Sequence, residues 1–376
     1  MKQKKRSPFL FFTTAILILA LCGISLFLLP QRSYSEHENR YLTTFQKPSV
    51  RGFFDSSMQQ NLTKGANDQF PGRDGWMKFA TSLKRMAGMQ DMGGVLFGKD
   101  GYYFERILDS DLSMTRYRSN LRYLKQAATN LNIKTFFLPV PSKGTILTHL
   151  LPEHAVLYDA DSLYKMAEET LSAATLIDIR STLSDAVKDQ QLYFKTDHHW
   201  TMHASYLAYT SWCRRHSYTP APLSGFAPEC VSEDFFGTLY SKAPCFDTQP
   251  DRLELPVHVP KASIFVQDKP VESIYDWNRL DTKDKYGVYF GGNTGRIDIH
   301  TRHRKGRGTL LIIKDSFANS LVPFLMTDYD HITMIDFRYY NLPFSRLVQE
   351  ILPDETLVLY EMGNFAQDEN FFKILK

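Results

Sequence analysis

The fold is decided by residues 309–360, which read TLLIIKDSFANSLVPFLMTDYDHITMIDFRYYNLPFSRLVQEILPDETLVLY. Three short segments are continuously apolar and are predicted to be buried strands: 309–314 (TLLIIK), 332–336 (ITMID) and 356–360 (TLVLY). The stretches between them, 316–326 and 343–352, have the residue spacing of helices. Apolar strands that alternate with helices predict a parallel sheet covered on both faces.

The same alternation of strands and helices is predicted upstream. The helical stretches are 112–131, 161–174 and 201–216, and the strands are 133–140 (IKTFFLPV) and 175–179. Residues 217–285 break the pattern because they are rich in proline and short polar pieces, and 286–290 (YGVYF) is a further predicted strand. We therefore predict a domain of the α/β class, with a three-layer parallel sheet, over residues 90–376 and an irregular insertion at 217–285.

An uncharged run of 21 residues, FLFFTTAILILALCGISLFLL, covers residues 9–29. About 20 apolar residues span the hydrocarbon core of a bilayer as a helix, and the cationic side stays in the cytoplasm. The cations before the run are Lys2, Lys4, Lys5 and Arg6. We therefore predict, in chain order, a cytoplasmic tail (1–8), one N-terminal transmembrane helix (9–29), a stalk with a helical lead-in (30–89) and an extracytoplasmic domain. A cleaved signal peptide is the alternative, but its apolar region is usually shorter, about 7–15 residues.

The charge balance excludes one class of partner. The chain has 44 Lys and Arg against 41 Asp and Glu, and without the four N-terminal cations the balance is 40 against 41. Nucleic-acid binders usually carry a strong excess of basic residues, so we expect no nucleic acid as a partner.

The cysteines leave one pairing open. Cys213, Cys230 and Cys245 follow the predicted membrane segment, and three cysteines cannot all pair within one chain. Cys230 and Cys245 flank an irregular stretch, so they either form a disulfide or remain free.

A serine and a histidine–aspartate pair are the candidates for catalysis. Ser316 follows a buried strand and opens a helix, and active sites of parallel sheets lie at the carboxyl ends of strands. Asp197 and His199 are two positions apart in Thr196-Asp197-His198-His199-Trp200, so they can supply a base and its orienting carboxylate. We expect His198 to point away from His199. The alternative role for Ser316 is that of a helix N-cap.

Two further roles are open for nearby residues. Gly292 and Asn293 end the predicted strand at 286–290 and either complete an oxyanion hole or form an ordinary turn. His199 and His203 are four positions apart and, with Asp197, are the ligand set that a metal site requires. No H-E-x-x-H pattern accompanies them, so we expect no metal and no other cofactor.

Several motifs together resemble the DHHW-motif protein family, which is related to alginate O-acetyltransferase-like, SGNH-hydrolase-like proteins. They are Ser35-Glu36-His37-Glu38-Asn39-Arg40, Phe70-Pro71-Gly72-Arg73-Asp74, Gly98-Lys99-Asp100-Gly101, Asp197-His198-His199-Trp200 and Asp315-Ser316-Phe317. The resemblance implies an SGNH-hydrolase-like fold with a triad of Asp197, His199 and Ser316. The serine comes last in this chain, whereas it comes first in ordinary SGNH hydrolases, and this implies a circular permutation.

The resemblance also implies a function. We expect an extracytoplasmic serine-dependent O-acetyltransferase or acetylesterase that acts on a cell-envelope polysaccharide or acyl-sugar. The backbone N–H of Ser316, with Gly292 and Asn293, would bind the oxyanion. A membrane-bound O-acyltransferase is the implied protein partner. The alternative is a catalytically inactive glycan-binding or assembly protein of the cell envelope.

Overall fold

The computed structural model describes residues 8–35, 38, 40–130, 133–172, 175–301 and 306–376. The chain forms two compact units. One contains the residues up to Met89 together with Ala243–Asp247, and the other contains Gln90–Lys242 together with Thr248–Lys376.

The first unit consists of helices and one short strand pair. Its helices are Pro8–Leu28, Val50–Phe54, Ser57–Asp68 and Arg73–Met86, and its strands are Tyr34–Ser35 and Arg40–Tyr41. In the described part of the chain, no helix combines the length and apolarity needed to cross a membrane. The predicted transmembrane helix at 9–29 is therefore not supported, and residues 1–7 of the predicted tail lie outside the described residues.

Two arginines from the family motifs make ion pairs within the first unit. Arg40 contacts both carboxylate oxygens of Asp68, at 2.6 and 3.1 Å, and Arg73 pairs with Glu38. The contact with Arg40 holds the pKa of Asp68 well below its ordinary value. Glu36, His37 and Asn39 of the same motif lie outside the described residues. The described members of these motifs therefore help to hold the lead-in segment together.

The second unit is built on a seven-stranded sheet. Its strands in chain order are β1 (Lys134–Val140), β2 (Ala262–Val266), β3 (Lys269–Val271), β4 (Arg296–Thr301), β5 (Thr309–Lys314), β6 (His331–Ile335) and β7 (Glu355–Glu361). Their order across the sheet is β3-β2-β4-β6-β5-β7-β1. The four strands from β6 to β1 are parallel to one another, whereas β4, β2 and β3 are each antiparallel to their neighbours.

Helices cover both faces of this sheet. On β5, Leu310 and Ile312 pack in the core that contains helix Met202–Arg215, and Leu311 and Ile313 pack in the opposite core. The opposite core contains helices Met114–Asn130, Ala160–Thr170 and Phe344–Ile351. Alternate side chains of this one apolar strand thus pack into two different cores, because both faces of a central strand are buried. The α/β class with three layers is therefore confirmed.

Several shorter elements complete the second unit. Its remaining α-helices are Lys143–Ile146, Arg180–Ala186, Thr238–Lys242, Val322–Leu325 and Met362–Gln367. Its 3₁₀ turns are Lys99–Gly101, Asp109–Asp111, Thr148–Leu150, Leu223–Phe226, Trp277–Asp281, Lys285–Val288, Ser316–Ser320 and Phe371–Leu375. Its smaller sheets pair Asp91–Met92, Val95–Phe97 and Tyr103–Glu105, and Pro228–Phe235 with Asp251–Pro256.

Two details differ from the sequence-based expectations, and the alternative left open for the cysteines is decided. The sheet is mixed rather than wholly parallel, since strands β2 and β3 from the expected irregular insertion extend it through β4. Residues 286–290 do not form a strand; Lys285–Val288 is a 3₁₀ turn, and Tyr289 makes only an isolated bridge with Tyr275. All four cysteines are free thiols, so the disulfide between Cys230 and Cys245 is absent.

Candidate active site

The side chains of Asp197, His199 and Ser316 form one continuous hydrogen-bonded relay. His199 Nδ1 lies 2.6 Å from Asp197 Oδ1, and His199 Nε2 lies 2.7 Å from Ser316 Oγ. The three residues are buried, with 1%, 6% and 9% of their surfaces exposed. Both distances are within hydrogen-bond reach, so the carboxylate can orient the imidazole and the imidazole can take the hydroxyl proton.

Hydrogen bonds fix both oxygens of the Asp197 carboxylate. Oδ1 also accepts from the backbone N–H of His199 at 2.9 Å, and Oδ2 accepts from the backbone N–H of Thr238 at 2.7 Å. Burial opposes ionisation, but the charges of His198 and His199 and the hydrogen bonds outweigh it, and the pKa of Asp197 lies well below its ordinary value. Asp197 is therefore a carboxylate at neutral pH and can stabilise an imidazolium.

Ser316 opens the 3₁₀ turn that follows β5, and Asp315 shapes this turn. Asp315 Oδ1 accepts from the N–H of Phe317, and Oδ2 accepts from the N–H of Glu361 and from Asn364 Nδ2, each at 2.9 Å. The capping residue is thus Asp315, and the hydroxyl of Ser316 is left to His199. The backbone N–H of Ser316 has no acceptor among the described residues, so it can donate to a reacting oxygen.

Trp200 ties the histidine segment to the serine turn. Its Nε1 donates to the carbonyl of Phe317 at 3.0 Å and to Ser320 Oγ at 2.8 Å. Ser205 Oγ, on helix Met202–Arg215, donates to the same Ser320 oxygen at 2.8 Å. Trp200 is fully buried, so these bonds are shielded from competition with water. They fix the distance between the two halves of the relay.

Aromatic rings enclose the imidazole of His199. Tyr286 stacks on one side of it, with ring centroids 3.8 Å apart and an angle of 11° between the planes. The ring of His198 lies 3.9 Å away, so the expectation that His198 points away from His199 was wrong. His198 Nδ1 bonds to Thr238 Oγ1 at 2.7 Å, which fixes this orientation. Burial and the neighbouring His199 lower the pKa of His198 to about 4.

Lys143 is a supporting residue that the sequence analysis missed. Its buried ammonium donates to the carbonyls of Asp197 at 2.6 Å, Tyr103 at 2.7 Å and Lys195 at 3.3 Å. Burial lowers the pKa of Lys143 to about 8. Lys143 follows β1 by three residues, and this position at the carboxyl end of a parallel strand is the signal that could have identified it.

Asp251 and Gly237 support the same segment from the stretch 217–285. Asp251 is buried and accepts from the N–H groups of Lys195 and Thr196, at 2.7 and 2.8 Å, and from Thr196 Oγ1 at 2.6 Å. A Cβ on Gly237 would lie 2.2 Å from Asp197 Cβ and 2.6 Å from its Cα. Only glycine fits there without moving Asp197. No pattern in this irregular stretch marks either residue.

The two residues predicted to complete the oxyanion hole differ in their geometry. The N–H of Gly292 already donates to the carbonyl of Tyr289 at 3.0 Å, so the predicted role of Gly292 as an N–H donor is corrected. Asn293 Oδ1 accepts from Lys314 Nζ at 3.1 Å. Because an ammonium only donates, this bond turns the NH₂ group of Asn293 away from Lys314. The amide oxygen of Asn293 is therefore occupied, and its NH₂ group is the part of the side chain that can act as a donor.

The alternative metal site is not assembled as the sequence suggested. His203 Nε2 bonds to Glu254 Oε2 at 2.9 Å rather than joining Asp197 and His199. Among the described residues, the cluster of candidate ligand atoms is Asp197, His198 and His199, all within 4.8 Å. Both ring nitrogens of His199 already have partners in the relay. The geometry is thus that of proton transfer between a serine and a histidine rather than that of three ligands facing one point.

Two family models match the chain. The model of DHHW proteins covers residues 178–335, which include the whole relay, and the model of the SGNH hydrolase-like domain of acetyltransferase AlgX covers residues 95–229. The resemblance to the DHHW family is confirmed. The second match also assigns an SGNH hydrolase-like domain to this chain.

Solved structures of the same fold include a DHHW family protein from Eubacterium siraeum DSM 15702. It is 23% identical over 76% of this chain and 96% of its own, with a TM-score of 0.63. Bacillus cereus PatB1 is 20% identical over 74% of this chain and 99% of its own, with a TM-score of 0.62, and another of its structures carries a sulfonyl adduct. These likenesses establish the fold.

The remaining comparison found nothing, and one expectation lacks support. No curated protein sequence matches the chain significantly. The circular permutation that the Asp–His–Ser order suggested is not supported by the DHHW match or by the structural likenesses.

Proposed function

We propose that this protein is an extracytoplasmic serine-dependent O-acetyltransferase or acetylesterase that acts on a cell-envelope polysaccharide. The observation that carries the proposal is the relay of 2.6 and 2.7 Å from Asp197 through His199 to Ser316. The match to the SGNH hydrolase-like domain of acetyltransferase AlgX favours acetyl groups as the cargo.

In the first half-reaction Ser316 becomes acylated. Its Oγ attacks the carbonyl carbon of an acetyl ester, and His199 Nε2 takes the hydroxyl proton as the new C–O bond forms. The tetrahedral oxyanion accepts from the backbone N–H of Ser316 and from the NH₂ group of Asn293. When the intermediate collapses, the bond to the leaving oxygen breaks and His199 returns the proton to that oxygen. Asp197 stabilises the imidazolium throughout.

In the second half-reaction an acceptor removes the acetyl group. A sugar hydroxyl or a water molecule gives its proton to His199 Nε2 and attacks the acyl carbon. The bond to Ser316 Oγ then breaks, and the serine oxygen recovers the proton from His199. Transfer and hydrolysis share the acyl-enzyme and differ only in this acceptor. Exclusion of water favours transfer.

The location and the acyl source belong to the same proposal. The sequence before residue 30 predicts that the domain lies outside the cytoplasm, where a cell-envelope polysaccharide is accessible. A membrane-bound O-acyltransferase is the proposed supplier of acyl groups. A reporter that functions only in the cytoplasm, fused after Lys376, should be inactive; an active reporter would contradict the proposed location.

Labelling of the nucleophile tests the chemistry. A fluorophosphonate or sulfonyl fluoride should modify the full-length protein at Ser316, and peptide mass spectrometry should locate the adduct there. The matched control is Ser345→Ala, which removes an exposed serine and should label normally, whereas Ser316→Ala should not label. If the folded protein neither labels at Ser316 nor turns over acetyl esters, the enzyme proposal fails. The alternative, a catalytically inactive glycan-binding or assembly protein, would then replace it.

A further inference from the structure

A small cavity lies beside the catalytic relay. Its volume is about 40 Å³, and its lining includes His198 and Phe317, the chain neighbours of His199 and Ser316. The ring of Phe317 is 5.0 Å from that of His199. This cavity therefore lies next to the reacting groups, on the side of the site that His198 and Phe317 form.

A larger groove lies next to this cavity. The groove has a volume of about 610 Å³, which lies within the usual range of ligand clefts. Ser142, Gly144, Leu157 and Tyr158 line both the small cavity and the groove. Because these four residues line both recesses, the two lie side by side, and we treat them together as one path beside the relay. We call this path the acceptor groove.

The larger groove is rich in hydrogen-bonding groups. Its lining includes five serine and threonine side chains: Ser142, Thr145, Thr148, Ser181 and Ser184. It also includes three carboxylates, which belong to Asp159, Asp161 and Asp178. Hydroxyls and carboxylates are the partners that sugar hydroxyls need, since each sugar hydroxyl both donates and accepts.

Arg180, the cationic side chain in the described lining of the larger groove, is already paired with carboxylates. Arg180 is held by Asp161 at 2.5 Å and by Asp178 at 2.7 Å, and its guanidinium lies 3.8 Å above the ring of Tyr164. The described lining of the larger groove has three carboxylates and one paired arginine, so its net charge is negative. Coulomb repulsion should therefore oppose a polyanionic chain in this groove.

The inner cavity has little positive charge to offset this. Its lining carries the carboxyls of Glu105 and Glu361 beside the ammonium of Lys143, whose protons go to backbone carbonyls. Glu105 is paired with Lys242 at 2.8 Å. The whole path from the relay to Arg180 is therefore neutral to acidic.

We propose that the acceptor groove binds the glycan that receives the acetyl group, and that it selects neutral or amino-bearing sugars over uronic-acid polymers. This inference rests on the proposed function, because it names the acceptor of the acyl-enzyme. It follows from the shared lining residues, the hydroxyl-rich lining and the neutralised arginine.

A blocking substitution tests the path. Ser184 is exposed and lines the groove, whereas the adjacent Asp185 is exposed on the same helix and does not line it. Ser184→Trp should raise the KM for a neutral oligosaccharide acceptor about tenfold, the factor for a loss of about 1.4 kcal/mol. The rate of hydrolysis of a small chromogenic acetyl ester, measured on the same protein, reports separately on the relay. Asp185→Trp should change neither quantity.

The outcomes separate the two proposals. If the parent protein does not hydrolyse the small ester, the proposed function fails. If it does, and Ser184→Trp leaves the acceptor KM at the Asp185→Trp value, the acceptor groove is overturned. Ser181→Trp, also exposed and in the lining, replaces Ser184→Trp if that variant does not fold.

A charge reversal tests the selectivity. Asp161→Lys should shift the ratio of oligouronate to neutral oligosaccharide acetylation about tenfold towards the oligouronate at low salt, and the shift should shrink as salt is added. Glu168→Lys is the matched control, because it is an exposed carboxylate on the same helix outside the groove. An unchanged ratio in Asp161→Lys, or an equal shift in Glu168→Lys, would overturn the proposed preference.

Discussion

The two halves of the catalytic relay are held in place by different means. Ser316 follows β5, which is hydrogen-bonded to β6 on one side and β7 on the other. Asp197 and His199 stand in a segment without regular structure, and buried side chains such as Lys143 and Asp251 satisfy its backbone groups. A backbone ladder tolerates many side-chain substitutions, whereas a polar cluster depends on each member. The acid–base half should therefore be the more fragile one.

The largest effect should come from removing a member of the relay itself. Ser316→Ala and His199→Ala should each lower kcat for acetyl esters by several orders of magnitude, and the double variant scarcely further, because relay members act as a unit. The measurement is ester turnover by protein whose folding is verified by circular dichroism. A Ser316→Ala protein with the parent rate would end the serine mechanism.

Crowding Asp197 should have the next largest effect. In Gly237→Ala the new Cβ would lie 2.6 Å from the backbone Cα of Asp197, so a rotamer change cannot relieve the clash. We expect kcat to fall about 100-fold, because a shift of roughly 1 Å has that effect, and stability to fall by about 1–3 kcal/mol. Gly225→Ala is the control, with its nearest neighbouring atom at 3.9 Å. Equal activity in the two variants would contradict a tight fit at Gly237.

Loss of the buried ammonium should weaken the same half more mildly. Lys143→Met keeps the unbranched chain up to the ε position but removes the ammonium that donates to the carbonyls of Asp197 and Tyr103. Unsatisfied buried groups cost about 1–3 kcal/mol, so the melting temperature and kcat should both fall. Lys165→Met changes an exposed lysine and should stay within about 0.5 kcal/mol of the parent. If both variants melt alike, Lys143 does not support the segment.

The smallest effect concerns pH. The pKa of His198 is lowered to about 4 from an ordinary 6.5, so the unfolded chain binds more protons between these values. The free energy of unfolding should therefore fall as pH drops from 6.5 to 4. Asp197 does not add to this slope. Its lowered pKa contributes stability that is fully present above the ordinary pKa of 3.8 and is lost only as the pH falls below that value. In denaturant titrations, His198→Gln should reduce the slope of the unfolding free energy against pH between pH 4 and 6.5. An unchanged slope would mean that other groups cause the pH dependence.

The parallel half of the sheet could be predicted because its strands are short and continuously apolar. Strands β5, β6 and β7 occur within two residues of their predicted ends. The position of Ser316 after β5 follows from this alone. Asp197 and His199 were predicted from their residue types and their spacing of two positions, and the resemblance of the D-H-H-W tetrapeptide to a family motif implied the same pair.

The antiparallel half could not be predicted in the same way. Strands β2 and β3 come from a proline-rich stretch whose apolar residues show little period, and they are recognisable only by pairing with β4. Gly237 and Asp251 were missed for the same reason, because contacts distant in sequence define their roles. Tertiary context decides such segments.

The stacking of Tyr286 on His199 gives the site its own spectroscopic reporter. Rings that are stacked 3.8 Å apart in nearly parallel planes place the carbon-bound protons of the imidazole in the shielding zone of the phenol. We expect these proton resonances upfield of those of ordinary histidines, and Tyr286→Leu should return them to the usual range. One magnetic resonance spectrum would then show whether the base is in its working position before any substrate is known.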